Sequence, residues 1–181
     1  MLDFMKPNTA RQKTGWAAAA AMTVAMCASF EGFAAHPYVD TVGRGHPETY
    51  CYGETAADGP VPAYGTLFTK EQCTELLKKS LVKYNNGIKQ YIKVTMGANT
   101  EGAMTDAAYN LGVGIFKKGS MTRDLNVGGN FNPDGAQTVT YKRYHPLACQ
   151  ALLQYDHANG KRLAGLTRRR QAEAKLCHKD D

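Results

Sequence analysis

The chain has 181 residues, of which 43% are hydrophobic, 21% are charged and 9% are aromatic. This composition predicts one globular domain with a sizeable core, and it excludes low-complexity disorder, a collagen-like repeat and a multi-span membrane protein. The formal net charge of +6 at pH 7 favours anionic partners, which include nucleic acid, an anionic membrane and a bacterial cell wall.

An uncharged run of seventeen residues, 14–30, follows the basic residues Lys6, Arg11 and Lys13. A positive flank before an uncharged run is typical of a segment that enters a membrane with its N-terminus inside. The run is short for a membrane span, and alanine is its commonest residue while leucine and isoleucine are missing from it, so it predicts a weak anchor. A cleaved signal peptide and a buried helix are the alternatives. Insertion or export would place the body outside the cytoplasm, which argues against a nucleic-acid partner.

A small β-rich lobe is predicted between the uncharged run and residue 66, because glycine and proline are frequent there. Tyr38-Val39 and residues 49–52 are short alternating pieces within this stretch, and they predict a small β-hairpin or a meander. The remainder is predicted to be mainly helical, so the fold class is α+β. A cleft between two such lobes is a common place for a ligand site.

Four helices are predicted after residue 66 from caps and apolar spacing. The first begins at a capping box of Thr69 and Gln72 and stops at residues 85–87. The second is capped by Thr100 and ended by Gly112. The other two predictions are a helix over 147–155 that ends at Asn159-Gly160, and a helix capped by Thr167. In the last helix Arg168, Arg169 and Arg170 are expected to point mostly outward, with one arginine turned inward to pair with Glu173 or another acid. Residues 128–135 are predicted to form a loop.

Two carboxylates near the end of the uncharged run could carry chemistry. Glu31 is the first charge after the run, and Asp40 follows nine residues later. A carboxyl group beside apolar surface has a raised pKa, whereas one in a wetter loop stays ionised. Such a pair can supply a general acid and a general base to a glycosidic bond. The spacing alone equally fits two solvated surface carboxylates.

Several motifs occur in order along the chain. They are Glu31-Gly32, Asp40 with Gly43, a Thr-x-x-x-Gly-x-Thr pattern over 49–55, Tyr109-Asn110-Leu111-Gly112, Gly160-Lys161, and a Gly-Leu-x-x-Arg-Arg pattern over 165–170 followed by Glu173 and Cys177. Together these motifs resemble the phage-type lysozymes of glycoside hydrolase family 24. The resemblance covers residues 31–178 and implies a lysozyme-like fold.

The resemblance implies a lysozyme, an N-acetylmuramidase that cleaves the β-1,4 bond between N-acetylmuramic acid and N-acetylglucosamine in peptidoglycan. Glu31 matches the general acid, Asp40 the carboxylate that activates or positions water, and Thr49 the hydroxyl that holds this water. Members of the family typically invert the anomeric carbon. The separation of Asp40 and Thr49 is longer than usual in the family, so Thr55 is the alternative. Tyr38, Asn110 and Gly112 are expected to bind the substrate.

The position of Glu31 at the edge of the uncharged run resembles signal-arrest-release endolysins. This resemblance implies a membrane anchor over 1–30 and a catalytic domain over 31–181, tethered to the host inner membrane and facing the periplasm. Release would let the run fold onto the body and leave a soluble periplasmic enzyme. We expect a monomer whose partners are peptidoglycan and the inner membrane. The alternatives are a membrane-active cationic lytic protein and a non-catalytic peptidoglycan-binding module.

The five cysteines are expected to form two structural bridges. Cys51 lies beside the presumed cleft wall and Cys73 begins the next helix, while Cys149 and Cys177 lie on the two C-terminal helices. We therefore predict the pairs Cys51–Cys73 and Cys149–Cys177. Cys27 is then either an inert buried thiol or, after release, a nucleophile that attacks a bridge involving Cys51. No Cys-x-x-Cys or His-x-x-x-His spacing occurs, so we expect neither a metal site nor a cofactor.

Overall fold

The computed structural model describes the backbone of residues 9–41 and 45–181, and their side chains from residue 16 onward. The side chains of Lys6, Arg11 and Lys13, and the motif residue Gly43, lie outside the part of the chain that is described. The helices are α1 (Thr9–Glu31), α2 (Lys70–Ile88), α3 (Ala98–Leu111), α4 (Ser120–Gly128), α5 (Val139–Ala151) and α6 (Ala164–Cys177). The strands are β1 (Ala34–Val39), β2 (Glu48–Cys51), β3 (His157–Ala158) and β4 (Lys161–Arg162).

The small lobe is built on the predicted hairpin. Strands β1 and β2 pair antiparallel, with Tyr38 opposite Thr49 and a bulge between Ala34 and Tyr38. The larger lobe contains the other helices around α3, so the predicted α+β architecture is confirmed.

The uncharged run is helical throughout and docks on the body. Three residues at helical spacing in α1 are buried, namely Ala19, Thr23 and Cys27. A Cβ atom at Gly102 of α3 would lie 3.0 Å from the Thr23 hydroxyl and 3.5 Å from the Ala19 carbonyl oxygen. The glycine therefore allows α1 and α3 to approach closely. Across the part of the chain that the structure describes, no helix is long and apolar enough to cross a membrane.

Helix α2 begins where the sequence predicts and ends later. The Gln72 backbone N–H donates to the Thr69 hydroxyl, and the Thr69 N–H donates to the Gln72 side chain, which confirms the capping box. The predicted stop at residues 85–87 is wrong, because the helix continues to Ile88. Asn85 is buried and its amide donates to Glu101 and Thr105 of α3, each at 3.0 Å. These partners satisfy the polar group inside the helix.

Helix α3 lies at the centre of the molecule, and every residue from 100 to 108 is buried. Its predicted start at Thr100 is wrong, because the helix begins at Ala98 and its N-cap is Gly97. The missing cap is supplied by Asp180, whose carboxylate accepts the Thr100 N–H at 2.7 Å and the Thr100 hydroxyl at 2.8 Å. Gly112 ends the helix as predicted, with a φ of 81°.

The last third of the chain differs most from the prediction. Helix α4 was not predicted, and the third predicted helix lies earlier, at Val139–Ala151. Asn159 and Gly160 do not end a helix. They form the turn between β3 and β4 and have φ angles of 51° and 74°. Helix α6 begins at Ala164 with Leu163 as N-cap, so Thr167 lies inside its first turn.

Both predicted disulfides are confirmed, Cys51–Cys73 and Cys149–Cys177. The first joins β2 to α2, and the second joins α5 to α6. Cys27 is free and buried. Ligand atoms of His145, Cys149 and Cys177 lie within 4.8 Å of one another, but both sulfur atoms are held in the disulfide.

Candidate functional site

Glu31 is the last residue of α1, at the point where the chain leaves the helical lobe for the hairpin. Its carboxylate lies against the turn after β2, since a Cβ atom at Gly53 would be 3.2 Å from Glu31 Oε2. Gly53 has a φ of 92°, so a larger residue there would be strained and would crowd the carboxylate. The local chain geometry thus holds Glu31 partly exposed between the two lobes.

Arg169 of α6 pairs with Glu31 and anchors it from behind. The same guanidinium donates to both oxygens of Asp106, from Nε at 2.9 Å and from Nη2 at 3.1 Å. Burial alone would lower the pKa of Arg169, but the negative charges of Asp106 and Glu31 raise it above its usual value. Arg169 is therefore a permanent cation between one buried carboxylate and one that faces the cleft.

Two buried carboxyl groups, those of Asp106 and Glu173, contact Arg169 on the side of the core. Burial would raise the pKa of Asp106, but the Arg169 charge and hydrogen bonds to its carboxylate hold it below its usual value. Burial and the neighbouring Asp106 raise the pKa of Glu173 well above its usual value. The combination favours one ionised and one protonated carboxyl group beside the arginine pair Arg169 and Arg170.

Cys27 of α1 joins these buried groups. Its thiol donates to Asp106 Oδ1 at 2.7 Å. Burial, and then the Asp106 charge, raise the pKa of Cys27 well above its usual value. The sulfur is therefore held as an unreactive thiol in this state. The hypothesis that Cys27 attacks a bridge involving Cys51 stays a prediction.

Two of the three arginines turn inward, where the sequence predicts one that pairs with Glu173 or another acid. Arg168 is exposed, but Arg169 and Arg170 are buried. Arg170 pairs with Glu173, and its Nη2 donates to Asn110 Oδ1 at 3.2 Å. The burial of these two guanidinium groups is compensated by carboxylates. Glu173 lies on the next turn of α6, whereas Glu31 and Asp106 are distant in sequence.

The hairpin carries three of the predicted site residues. Asp40 follows β1 directly, and its backbone N–H donates to the Pro47 carbonyl at 2.9 Å. Thr49 is buried in β2, and its hydroxyl donates to the same carbonyl at 3.2 Å. Tyr38 lies opposite Thr49 and is 45% exposed. Burial, and then the charges of Asp40 and Glu31, raise the pKa of Tyr38, so both carboxylates act on this phenol.

A cavity of about 520 Å³ opens beside Glu31. Glu31 and the predicted substrate residue Asn110 both line it, together with Phe30, Arg168 and Arg169. The other predicted residues do not line this cavity. Tyr38, Asp40 and Thr49 cluster on the hairpin, and Gly112 is the C-cap of α3.

Two buried acidic residues, Asp106 and Glu54, are not among the site residues that the sequence predicts. Asp106 carries no local signal, because its partners are Cys27 and Arg169, 79 and 63 residues away. Glu54 lies within the Thr-x-x-x-Gly-x-Thr pattern, and its position there was the available signal.

A small hairpin lobe beside a larger helical lobe, with an acidic residue at the end of the first helix, is typical of a lysozyme-like fold. The model of the phage lysozyme family matches residues 28–173. The SAR-endolysin of Bacteriophage PS119 is 33% identical over 147 residues, 81% of this chain and 75% of the relative. A mutant P22 lysozyme structure has a TM-score of 0.66 at 25% identity and covers 86% of this chain and 94% of its own. The endolysin of Escherichia coli O157:H7 phage FAHEc1 has a TM-score of 0.67 at 22% identity, over 85% and 89%. The chain belongs to the phage lysozyme family.

Proposed function

We propose that the protein is a muramidase that cleaves the β-1,4 bond between N-acetylmuramic acid and N-acetylglucosamine in peptidoglycan. The observation that carries the proposal is the placement of Glu31, which ends α1, lines a cavity together with residues of α3 and α6, and pairs with Arg169. Arg169 keeps two nitrogens on Asp106, so its charge stays balanced when Glu31 leaves it for a substrate.

In the proposed reaction Glu31 is the general acid and protonates the leaving glycosidic oxygen as the bond to the anomeric carbon breaks. Asp40 accepts a proton from the attacking water, and Thr49 positions that water. Attack from the face opposite the leaving group inverts the anomeric carbon. Tyr38 and Asn110 are proposed to contact the sugars on the two sides of the cleft, while Gly112 would act by shaping the end of α3.

The test compares wild type with Glu31→Gln on purified peptidoglycan, measuring turbidity and new reducing ends. The matched control is Glu75→Gln, which removes an exposed carboxylate on α2. We expect wild type and the control to release reducing ends at the same rate. The rate of Glu31→Gln should be at least a hundredfold lower, because a general acid contributes a factor of about a hundred or more to the rate. Equal activity of all three proteins would refute the role of Glu31.

The same comparison separates the alternative functions. A membrane-active lytic protein would lyse cells equally well with Glu31→Gln, and a binding module would sediment with peptidoglycan without releasing reducing ends. The anomer formed first, observed by NMR during the reaction, tests inversion independently of the rate.

We further propose that residues 14–30 first hold the protein in the host inner membrane and later leave it. The support is that this uncharged run ends at Glu31 and that its residues Ala19, Thr23 and Cys27 are buried on the body. The helix cannot occupy both places, so the tethered protein would lack an assembled cleft. Fractionation of Gram-negative cells before and after a protonophore tests this. We expect the protein in the membrane fraction before treatment and in the periplasm after it; an unchanged distribution would contradict release.

A further inference from the structure

Glu54 is a buried carboxyl group that the proposed mechanism does not use. It ends the turn after β2, next to Gly53, whose backbone lies against the Glu31 carboxylate, and it is 1% exposed. Its Oε2 accepts the Tyr52 backbone N–H at 2.8 Å. Its Oε1 has no hydrogen-bond partner within residues 9–41 and 45–181. A buried carboxylate oxygen without a donor is costly, so the arrangement needs a physical reason.

The reason lies in the turn that Glu54 closes. The Tyr50 and Glu54 backbones exchange hydrogen bonds at 3.0 Å in both directions, and Cys51 and Gly53 have φ angles of 54° and 92°. The Glu54 side chain folds back and binds the N–H of Tyr52 inside this turn. The Tyr109 hydroxyl of α3 donates to the Tyr52 carbonyl at 2.8 Å. The Tyr52 residue is thus held at both its N–H and its carbonyl.

This turn, residues 50–54, packs against the Glu31 carboxylate. Gly53 lies between Tyr52 and Glu54, and a Cβ atom there would be 3.2 Å from Glu31 Oε2 and 3.7 Å from the Tyr109 hydroxyl. A displacement of the turn by an ångström would therefore change the space available to the Glu31 carboxylate.

The groups facing Glu54 favour its neutral form. Glu31 at the end of α1 and Asp58 in the following loop are acidic, and the phenols of Tyr50, Tyr84 and Tyr109 are neutral. The nearby cations are engaged elsewhere, since Lys83 of α2 lies 3.9 Å from Asp58 and Arg169 of α6 pairs with Glu31. Burial, followed by the charges of Asp58 and Glu31, raises the pKa of Glu54 to about 7 against the opposing hydrogen bonds from backbone N–H groups.

We propose that Glu54 is a positioning residue whose un-ionised side chain holds the 50–54 turn against Glu31. Ionisation would bury another negative charge beside Glu31 and Asp58 and would drive the turn outward. The effect on catalysis rests on the proposed function of Glu31 as the acid. The effect on the turn does not.

The first arm of the test is a pH profile of reducing-end release at low substrate for wild type, Glu54→Gln and the control Glu75→Gln. Glutamine keeps the oxygen that accepts the Tyr52 N–H but cannot ionise. With a pKa of about 7, roughly nine-tenths of Glu54 would be neutral at pH 6 and one-tenth at pH 8. We expect the rate of Glu54→Gln divided by that of wild type to rise about tenfold over this interval. A constant ratio would overturn the positioning role.

The second arm needs no activity. The folded pKa of Glu54 lies above its ordinary value of 4.5, so between these pH values the folded protein holds a proton that the unfolded chain has released. Wild type therefore loses stability as the pH rises from 4.5 through 7, and Glu54→Gln does not. We expect the Tm of Glu54→Gln minus that of wild type to increase between pH 5 and pH 8, with no such trend for Glu75→Gln.

The two arms separate the two proposals. If wild type releases no reducing ends, the proposed function fails, and the Tm comparison still decides whether Glu54 is neutral in its turn. A Tm difference that is independent of pH would overturn the inference about Glu54 whatever the activity. If the Tm difference grows with pH but the rate ratio stays constant, Glu54 affects only the stability of the fold. That outcome would overturn its role in positioning the turn against Glu31.

Discussion

Arg169 is the residue on which the charge balance of the cleft depends. It contacts Glu31 at the surface and Asp106 in the interior, and its Nε lies 3.5 Å from Glu173. The burial of Asp106 in its ionised form depends on this guanidinium, whereas Glu173 also pairs with Arg170. The site and the core are therefore not energetically separate.

Replacing Arg169 with alanine should be strongly destabilising. The change leaves Asp106 buried without its main cation, and breaking a buried ion pair costs about 3–5 kcal/mol. Urea denaturation at pH 7 measures the loss. Arg168→Ala on the same helix is the matched control, and because Arg168 is exposed we expect a change within about 0.5 kcal/mol. If Arg169→Ala and Arg168→Ala both lower the free energy of unfolding by similar, small amounts, the assigned role of Arg169 is contradicted.

At the scale of elements, α3 receives contacts from both ends of the sequence. Helix α1 docks across Gly102, and the turn that follows α6 supplies Asp180 to the first turn of α3. Because Gly97 has no side chain to cap the helix, the backbone N–H groups of that turn depend on the distant carboxylate.

Asp180→Ala should therefore behave as the loss of a helix cap. The expected cost is about 1–2 kcal/mol, within the range measured for removed N-caps. The urea midpoint of Asp180→Ala should fall clearly below that of Lys179→Ala, which changes an exposed neighbour. Equal midpoints would mean that the bonds from Asp180 to Thr100 contribute nothing net.

Gly102→Ala should loosen the docking of α1. The added methyl would lie 3.0 Å from the Thr23 hydroxyl, and overpacking of this kind costs about 1–3 kcal/mol. Trp16 of α1 is the sole tryptophan of the chain and contacts the core around Cys27, so its fluorescence should shift to the red as α1 loosens. Gly165→Ala is the control: it has open space within α6 and should stabilise by about 0.5–1 kcal/mol. An unchanged emission spectrum for Gly102→Ala would contradict the close approach of the two helices.

The elements that the sequence predicts well are those set by neighbouring residues. Thr69 and Gln72 cap α2 within one turn, and the alternation on both sides of Asp40 defines the hairpin. The errors arise where a distant partner decides the structure. Asp180 caps α3 from 80 residues away, and α3 satisfies the amide of Asn85 inside α2.

The candidate site shows the same division. Glu31 and Asp40 could be found from their spacing and the surrounding motifs, because these are properties of a short stretch of chain. An inward arginine beside Glu173 is predicted from the sequence, but the pairing of Arg169 with Glu31 and Asp106 and the burial of Glu54 depend on the packing of α1, α3 and α6 around the turn after β2. No periodicity in either local segment encodes those contacts.

At the scale of the whole molecule, the two disulfides connect elements that would otherwise separate independently. Cys51–Cys73 spans 22 residues and ties the hairpin to α2, and Cys149–Cys177 spans 28 residues and ties α5 to α6. In the chain-entropy model a closed loop of this length stabilises by roughly 3 kcal/mol.

Removing either bridge should lower stability by a similar amount. We expect Cys51→Ala/Cys73→Ala and Cys149→Ala/Cys177→Ala each to lose roughly 3 kcal/mol in urea denaturation under oxidising conditions. Adding a reductant should lower the urea midpoint of wild type below the midpoints that the two variants have under oxidising conditions, because reduced wild type lacks both bridges. A wild-type midpoint that is insensitive to the reductant would contradict a stabilising role for the bridges.

The cap that Asp180 places on α3 also sets a delay during synthesis. The ribosome adds the 80 residues between Thr100 and Asp180 in roughly 4–16 s at ordinary elongation rates. During that interval the first turn of α3 has no carboxylate to bind, and the surface on which α1 docks is unfinished. The order of synthesis therefore makes the first turn of α3 one of the last parts of the fold to be completed, although its residues emerge midway through the chain.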